Sequence, residues 1–176
     1  MTTSEFLVCP DCRHANIPGS ELCEQCGQTL DPLQSHRQKN ALERQIIEDR
    51  ISVLNPRTAV MVDATLPVRE ALNWLVSKGI GCLLISQAGK VVGIFTERDV
   101  LQKINSDIAL HLDKPVSTFM TSAPVTLKSR DRIAFALHRM DLGGYRHVPI
   151  LDENLSPKVI SIRDILRYMT ERLTNA

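Results

Sequence analysis

The sequence predicts a mixed α+β/α/β fold, in which two βαββα units pair about a pseudo-twofold axis behind a cysteine-rich segment and a linker helix. Three observations lead to this prediction. Four of the five cysteines lie within residues 9–26. A stretch with helical apolar spacing ends at Asn55-Pro56. Beyond that point the chain matches itself at an offset of 65 residues without gaps. A chain of 176 residues, 43% of them hydrophobic, can bury such a core.

The clustered cysteines form two CxxC pairs with ten residues between them, and Gly27 gives the second pair a permissive backbone at its end. A CxxC turn points two thiolates at one ion, and two turns complete a tetrahedron around Zn²⁺. Because no export signal is evident, a metal site is favoured over a redox dithiol pair or a disulfide-linked tail. The segment resembles the short zinc ribbons of many microbial proteins. We predict a domain over residues 1–30 with structural Zn²⁺ bound by Cys9, Cys12, Cys23 and Cys26.

Charge and hydropathy argue against nucleic acid and membrane as partners of this chain. The formal net charge of +1 gives no global field that favours nucleic acid or an anionic membrane. In residues 1–30 four acidic side chains face one arginine, a net charge of −3, whereas phosphate backbones are recognised through Lys and Arg. No apolar run has the length that spans a bilayer. We expect a cytoplasmic protein with no membrane contact, whose ribbon contacts protein rather than DNA.

Residues 31–54 are predicted to form a linker and then an amphipathic helix. Residues 31–39 mix proline, polar and basic residues, as linkers do. Asn55-Pro56 ends the helix, because the residue before a proline is disfavoured in the α region. We expect the helix to pack on its own domain, with pairing to a second copy as the alternative. From residue 40 onward, apolar residues recur mainly three and four apart at Leu42, Ile46, Ile47, Ile51 and Leu54.

The repeat over residues 55–114 and 115–176 is carried by apolar stripes and by a short polar motif. Each unit has an i, i+3, i+4, i+7 stripe that predicts a helix, followed by a glycine and two apolar strands. The strands are CLLIS and KVVGIFT in the first unit, and HVPIL and KVISI in the second. The matched positions are Val68, Ala71, Leu72 and Leu75 with Ile133, Ala136, Leu137 and Met140, Gly79 with Gly144, Thr96 with Ser161, and Asp99 with Asp164.

These residues carry a resemblance to a known family. GIGCLLISQAGKVVGIFTERDVL and GYRHVPILDENLSPKVISIRDIL look like two CBS repeats, and MTSAPVTL resembles the first strand of such a repeat. The resemblance covers about residues 50–172. Tandem CBS pairs, called Bateman modules, bind adenine nucleotides or S-adenosylmethionine, regulate attached or partner proteins, and pair into flat dimers. The resemblance therefore implies a homodimeric module that binds an adenine nucleotide.

The hydroxyl-x-x-Asp motif has two compatible interpretations. The hydroxyl and carboxylate of Thr96 and Asp99, and of Ser161 and Asp164, can cap the helix that follows. The same carboxylate can accept from both hydroxyls of a ribose, while a helix N-terminus favours phosphate. A cap in both repeats and a ligand site in at least one of them are therefore expected.

The resemblance implies a nucleotide site in the second repeat. By this resemblance, Asp164 would bind the ribose and Ser161 would lie on the phosphate side. Arg146 and His147 stand at the positions of basic phosphate contacts. Arg163, next to Asp164, is expected to reach into the same cleft. The purine is expected against the backbone and apolar edges of Ala123, Pro124, Val125 and Val148.

The first repeat is expected to bind a second nucleotide less well. The positions that match Arg146 and His147 are Gly81 and Cys82, which carry no charge. Phosphate would therefore need a cation from elsewhere, and Arg57 and Arg98 are the candidates. The residues suited to adenosine in this repeat are Thr58, Ala59, Val60, Thr96 and Asp99.

No Ser-His-Asp, Cys-His or paired-carboxylate arrangement indicates catalysis, so no enzymatic activity is expected. The sequence favours a regulatory module that senses AMP, ADP, ATP or S-adenosylmethionine and signals to a protein partner through its ribbon, its linker helix or both. The alternatives are a ligand-free dimeric adaptor that binds protein through the ribbon, and a nucleic-acid-binding regulator that uses the ribbon and the basic residues of 37–57.

Overall fold

The computed structural model describes residues 6–9, 11–17, 20–30, 41–104 and 108–174. Across these residues no helix is both long enough and apolar enough to cross a membrane. The helices are α1 (Ala41–Glu48), α2 (Val68–Lys78), α3 (Glu97–Asp99), α4 (Ile108–His111), α5 (Ile133–Gly143) and α6 (Ile162–Thr174), with 3-10 turns at Ile51–Leu54 and Val116–Thr118 and a π turn at Val100–Ile104. The strands are β1 (Leu7–Val8), β2 (Ala15–Asn16), β3 (Arg57–Thr58), β4 (Met61–Asp63), β5 (Cys82–Gln87), β6 (Lys90–Thr96), β7 (Thr121–Ser122), β8 (His147–Ile150) and β9 (Lys158–Ser161).

The chain divides into two compact units, each made of separated stretches. Unit 1 takes its residues from 1–56, 127–146 and 160–176. Unit 2 takes its residues from 57–126 and 147–159. Each unit therefore contains residues from both sequence repeats.

The largest sheet has the order β4-β5-β6-β7. Strand β4 runs parallel to β5, while β5, β6 and β7 are antiparallel. The turn between β5 and β6 holds Ala88 and Gly89, both at positive φ, as a two-residue turn of this kind requires. A second sheet has the order β3-β9-β8, and β1 pairs with β2. The four strands predicted from CLLIS, KVVGIFT, HVPIL and KVISI are confirmed as β5, β6, β8 and β9.

The two predicted helical stripes are buried. In α2, Val68 and Ala71 have no exposed surface and Leu75 is 6% exposed. Burying apolar surface of this kind is the main source of stability in a core. The stripe of α5 is buried in the same way at Ile133, Ala136 and Met140. The core around α2 also contains Val62, Leu83, Ile85, Phe95, Ile104, Val116 and Phe119.

Both of these helices end at the glycines that match across the repeat. Gly79 and Gly144 take the left-handed conformation, at φ of 58° and 61°. Their amides donate to carbonyls of the last turn, which satisfies groups that a helix end leaves without a partner. At these two helix ends the repeat is therefore preserved in backbone conformation as well as in sequence.

The helix predicted from residue 40 to 54 ends early, at Glu48. Two amides beyond it bond to the segment before α5 instead: Ile51 to the Asp131 carbonyl at 2.8 Å and Ser52 to the Ser129 carbonyl at 3.0 Å. These long-range bonds override the helical periodicity, so residues 51–54 form a 3-10 turn. The predicted helix end at Asn55-Pro56 is therefore wrong, and Asn55 instead follows the end of the 3-10 turn. The linker predicted at 31–39 and the start of the helix at residue 40 lie outside the described residues.

The strand predicted from MTSAPVTL is also shorter than expected, because β7 has two residues. Ala123 follows it with a φ of 45°, which leaves the extended region. The helices after the two polar motifs differ as well. Helix α3 has three residues and continues as the π turn, whereas α6 has 13.

Helix α1 packs within its own unit, as expected. It lies against α5 and α6. The Arg132 guanidinium donates to the carbonyls of Ile47 and Glu48. The Tyr168 hydroxyl donates to Asp49, just beyond the helix. Residues of the second repeat thus bind α1 through both its backbone and its flanking side chain.

Candidate metal centre and nucleotide sites

The two CxxC segments share a backbone hydrogen bond and a left-handed residue. In each, the amide four residues beyond the first cysteine donates to that cysteine's carbonyl, Arg13 to Cys9 at 3.0 Å and Gly27 to Cys23 at 2.8 Å. Both donors have positive φ, 63° at Arg13 and 73° at Gly27. The same local turn, formed twice, presents two thiols from each segment.

The four thiols meet as their spacing predicts. All four Sγ atoms lie within 4.8 Å of one another, with 3.6 Å between Cys9 and Cys26 and 3.5 Å between Cys12 and Cys23. Sulfurs bound to one ion at about 2.3 Å in a tetrahedron stand roughly 3.8 Å apart, so the set fits a single metal ion. All four are free thiols, which contradicts the disulfide alternative. The predicted four-cysteine cluster is confirmed.

Packing the thiols together changes their protonation. Burial raises the pKa of Cys12 to about 11. It raises the pKa of Cys26 by more than that of Cys12. At Cys23 burial is outweighed by the backbone amides of Cys26 and Gln25, which lower the pKa to about 6. A bound cation would favour the thiolate at all four positions, because coordination deprotonates a thiol.

We expect Arg13→Gly to strengthen the cysteine segment and Gly27→Ala to weaken it. A side chain in the left-handed conformation costs about 1–2 kcal/mol that glycine avoids. A Cβ built on Gly27 meets no atom within 4 Å, so the backbone conformation alone is tested. Because the greater freedom of glycine in the unfolded chain offsets about 0.4–1 kcal/mol of that cost, removal of a bound metal ion by a chelator should be roughly threefold slower in Arg13→Gly and faster in Gly27→Ala. Identical rates in both variants would contradict this account of the turns.

Asn16 holds the two halves of the cysteine segment together. Its side chain is buried and donates to the carbonyls of Leu7 and His14, at 3.2 and 3.0 Å. It also accepts from the Glu24 amide at 3.0 Å. A buried amide with both its donor and acceptor atoms satisfied orders the segments it joins. No motif marks this residue in the sequence.

The cysteine cluster packs on helix α5 of the same unit. Phe135 lies against the buried cysteines. The His138 Nε2 atom is 2.6 Å from the carbonyl oxygen of Cys26 and donates to it in the Nε2-protonated tautomer. No local sequence pattern identifies this partner of His138, because it lies 112 residues away.

Both hydroxyl-x-x-Asp motifs cap helices. The Thr96 amide and hydroxyl donate to Asp99 Oδ2 at 2.9 and 2.6 Å, and the Asp99 amide donates back to the hydroxyl at 3.3 Å. The Ser161 amide and hydroxyl donate to Asp164 Oδ2, each at 2.7 Å. Each carboxylate is buried. The predicted capping box forms in full at Thr96 and Asp99, and at Ser161 and Asp164 the hydrogen bonds to the carboxylate are formed.

The second carboxylate oxygen distinguishes the two repeats. Asp99 Oδ1 accepts from Lys103 Nζ at 2.7 Å and from the Thr121 hydroxyl at 3.0 Å. Asp164 Oδ1 accepts from Arg167 at 3.0 Å. Burial raises the pKa of Asp99, but its hydrogen bonds, led by the one from Lys103, outweigh burial and hold the pKa below its usual value.

The polar residues predicted for the second repeat lie close together in unit 1. The Ile162 amide donates to the Arg146 carbonyl at 2.9 Å, which places the Arg146 backbone beside the cap of α6. The side chains of Arg146 and Arg163 are exposed. The matching bond in the first repeat joins the Glu97 amide to the Gly81 carbonyl at 3.3 Å. The structure therefore groups Arg146, Ser161, Arg163 and Asp164.

The residues predicted for the first repeat all belong to unit 2. The Val60 carbonyl accepts from β5 at Leu84, and Thr58 lies two residues before it. On the other side of β5, Thr96 pairs with Cys82. Burial raises the pKa of the Cys82 thiol to about 12, so this side chain is a buried neutral thiol. The structure thus places Thr58, Val60, Thr96 and Asp99 around one end of β5.

The other residues predicted to contact a nucleotide in the second-repeat site belong to unit 2. Val148 is fully buried in β8. The His147 imidazole lies against the first repeat, where a Cβ built on Gly81 would be 2.6 Å from its Nε2. A nucleotide contact for these residues stays a prediction. The set consists of Ala123, Pro124, Val125, His147 and Val148.

Comparison with known proteins identifies the fold. Residues 51–106 and 116–171 each match the family described as CBS domain. The CBS-domain containing protein ATU1752 of Agrobacterium tumefaciens has a similar structure, with a TM-score of 0.63 and 29% identity over 68% of this chain and 98% of that one. The chain belongs to the CBS domain family. Its tandem repeats and mixed helix and sheet confirm the predicted fold class.

The matches to other relatives cover different shares of those proteins. An uncharacterized 17.7 kDa protein of Acidianus ambivalens is 30% identical over 69% of this chain and 74% of that protein. The CBS domain-containing protein CBSCBSPB1 of Arabidopsis thaliana is 27% identical over 72% of this chain, which spans 23% of that relative. The structure of PAE2072 from Pyrobaculum aerophilum, complexed with AMP, has a TM-score of 0.60 and 27% identity over 73% of this chain and 100% of that one.

Proposed function

We propose that this chain is a regulatory module that senses an adenine nucleotide through its CBS pair and signals to a partner protein. One observation carries the proposal: a buried carboxylate, Asp164, lies at the start of the 13-residue helix α6 beside Arg146. The AMP bound by PAE2072 supports AMP as the ligand. ADP, ATP and S-adenosylmethionine are the other adenine ligands to test.

The cap of α6 offers chemistry that suits a ribose phosphate. Asp164 Oδ1 can accept ribose hydroxyls once Arg167 turns away, and the Arg167 side chain is 59% exposed, so an ion pair of little net strength is lost. The first amides of the helix and the Ser161 hydroxyl favour an anion. Arg146 and Arg163 supply charge that pairs with phosphate. A ligand bound here would shift the chain toward the conformation that binds it best.

We propose Zn²⁺ as the ion of the four-cysteine cluster. Four thiolates are a typical donor set of structural zinc sites, and they leave no coordination position for a substrate. The ion would therefore fold the cysteine segment rather than perform chemistry. No catalytic role is proposed for any part of this chain.

The proposed partner is a protein, contacted by the ribbon, by the linker helix or by both. Phe6, Val8 and Ile17 are exposed apolar side chains on the ribbon, which suits contact with protein. We further propose a cytoplasmic homodimer formed through the CBS pair, with the sequence boundaries 1–30, 31–54, 55–114 and 115–176 as ribbon, linker with helix, and two repeats. Salt-dependent binding to DNA or RNA would contradict the choice of a protein partner.

A calorimetric titration of the metal-loaded protein with AMP, ADP, ATP and S-adenosylmethionine tests this function. We expect about one site per chain, because the N-terminus of the 13-residue helix α6 lies beside Arg146 and favours a phosphate. Asp164→Ala should weaken the affinity by about tenfold or more, because a charged hydrogen-bond acceptor is lost. Asp99→Ala removes the matching cap and should leave the affinity nearly unchanged, which makes it the control.

Thermal unfolding of both variants measures how far each substitution destabilises the fold, so that a loss of affinity can be separated from a loss of stability. Equal losses of affinity in the two variants would contradict a site in the second repeat. If none of the four compounds binds, the ligand-free dimeric adaptor is favoured. Helix caps whose hydrogen bonds are made within the chain are compatible with that function.

A further inference from the structure

The ammonium group of Lys103 lies among oxygen acceptors in the first repeat. Its Nζ atom is 2.7 Å from Asp99 Oδ1, and it donates to the carbonyls of Phe119 and Met120 at 2.9 and 3.0 Å. The Thr121 hydroxyl oxygen is 3.4 Å away. An ammonium has three donors, and these acceptors satisfy all of them.

The carboxylate of Asp99 is saturated as a result. A carboxylate has about four acceptor positions on its two oxygens. At Asp99 the amide and hydroxyl of Thr96 use Oδ2, while Lys103 and the Thr121 hydroxyl use Oδ1. A ribose can bind this carboxylate only if it displaces one or more of these donors.

The same contacts fix the segment that leads into β7. Lys103 belongs to the π turn after β6, whereas Phe119, Met120 and Thr121 end the 3-10 turn and begin β7. Met120 also packs tightly on β6, since a Cβ built on Gly93 would be 2.2 Å from its Sδ. Moving Lys103 would therefore disturb two connected segments and not one side chain alone.

The second repeat has no equivalent lysine. The position four residues after Asp164 is Tyr168, whose hydroxyl donates to Asp49 instead. Asp164 Oδ1 accepts from Arg167, whose side chain is 59% exposed, compared with 37% for Lys103. Arg167 can leave its carboxylate without breaking contacts to another segment of the kind that Lys103 makes.

We propose that Lys103 is a tethered cation that closes the ribose position of the first repeat and confines the adenine nucleotide to the second repeat. This proposal rests on the nucleotide function proposed above. Lys103 thereby sets the number of ligands per chain, a property that no motif in the sequence signals.

Lysine acylation of the wild-type protein tests the closed site without any nucleotide. With limiting reagent and peptide mass spectrometry, Lys103 should react about threefold or more slowly than Lys90, an exposed lysine in the same repeat. Asp99→Asn should remove much of that protection. Equal rates for Lys103 and Lys90 in the wild type would overturn the proposal. A Lys103 rate that rises when AMP saturates the protein would also overturn it, because the nucleotide would then be entering the first repeat.

Titration of Lys103→Met tests the confinement. We expect about two nucleotides per chain instead of about one, with the added site lost in the double variant Lys103→Met, Asp99→Asn. Lys90→Met removes the same charge from an exposed position and should keep the wild-type stoichiometry. A folded Lys103→Met protein that still binds one nucleotide would overturn the proposal. If it fails to fold, the acylation rates decide.

The two proposals can fail separately. A wild type that binds no nucleotide, together with a Lys103→Met variant that binds one, would overturn the second-repeat site and support the closing role of Lys103. A wild type that binds one nucleotide and whose Lys103 reacts as fast as Lys90 would support a nucleotide site in the second repeat and overturn the closing role of Lys103.

Discussion

Cys26→Ser is expected to abolish binding of the metal ion proposed for the four-cysteine cluster. Structural zinc sites bind with about 10–16 kcal/mol of apparent free energy, and most of that energy folds the segment that carries the ligands. With one thiolate replaced by a weak hydroxyl ligand, dialysis against a mild chelator should lower the metal content from about one equivalent to near zero. The β1–β2 pairing of Leu7 with Asn16 and of Val8 with Ala15 should then lose its protection from hydrogen exchange. Metal analysis and exchange at these amides provide the measurement.

Cys82→Ser is the matched control for this experiment. It makes the same change of sulfur to oxygen at a buried cysteine, but Cys82 lies in β5, outside the four-cysteine cluster. The variant should lose some stability, because a hydroxyl is costlier to bury than a thiol, and it should keep its full metal content. A Cys26→Ser protein that retains the metal, or a Cys82→Ser protein that loses it, would show that the metal is bound elsewhere.

Phe95→Ala is expected to lower the free energy of unfolding by about 3–5 kcal/mol. Phe95 lies in β6 and has no exposed surface. It packs in the core that contains Leu83 and Val116, so its removal leaves a cavity that neighbours can fill only in part. Urea unfolding should show an earlier midpoint with little change in slope, provided that the variant still unfolds in one transition.

Phe6→Ala provides the control for the core substitution. The ring of Phe6 is 62% exposed, so the same truncation should change stability by no more than about 0.5 kcal/mol. A loss at Phe6 as large as that at Phe95 would mean that Phe6 is covered in solution, for instance by a second copy of the chain. A small loss at Phe95 would contradict the packing of the core around α2.

Features that depend on short stretches of sequence could be predicted. The cysteine cluster follows from CxxC turns, whose geometry is set within five residues, and the helix caps follow from hydrogen bonds three residues apart. The positive φ of Gly79 and Gly144 follows from the need of a helix end for a left-handed residue. Because the chain matches itself at an offset of 65 residues, the local patterns of one repeat could be located in the other. The fold class was therefore accessible from one sequence.

Features that depend on distant residues could not be predicted. The helix expected to reach residue 54 ends at Glu48 because its following amides find carbonyls at Ser129 and Asp131. The acceptors of Lys103 at Phe119 and Met120 are backbone carbonyls, which every residue possesses, so no residue type identifies them. The extended conformation expected after Ser122 was wrong because Ala123 adopts a left-handed backbone that its residue type disfavours.

The packing of the cysteine segment on α5 has a consequence for the order of events during synthesis. Cys26 and His138 are 112 residues apart, and a ribosome adds about 5–20 residues per second, so roughly 6–20 s separate the emergence of the two. During that interval the nascent segment has its four thiols but not the helix on which it later packs. Before that helix emerges, the proposed ion and local bonds such as those of Asn16 are what can order the segment, so metal loading is expected to precede the folding of either repeat. With the proposed Zn²⁺ as that ion, zinc starvation would act first on ribosome-bound chains and only later on the finished protein.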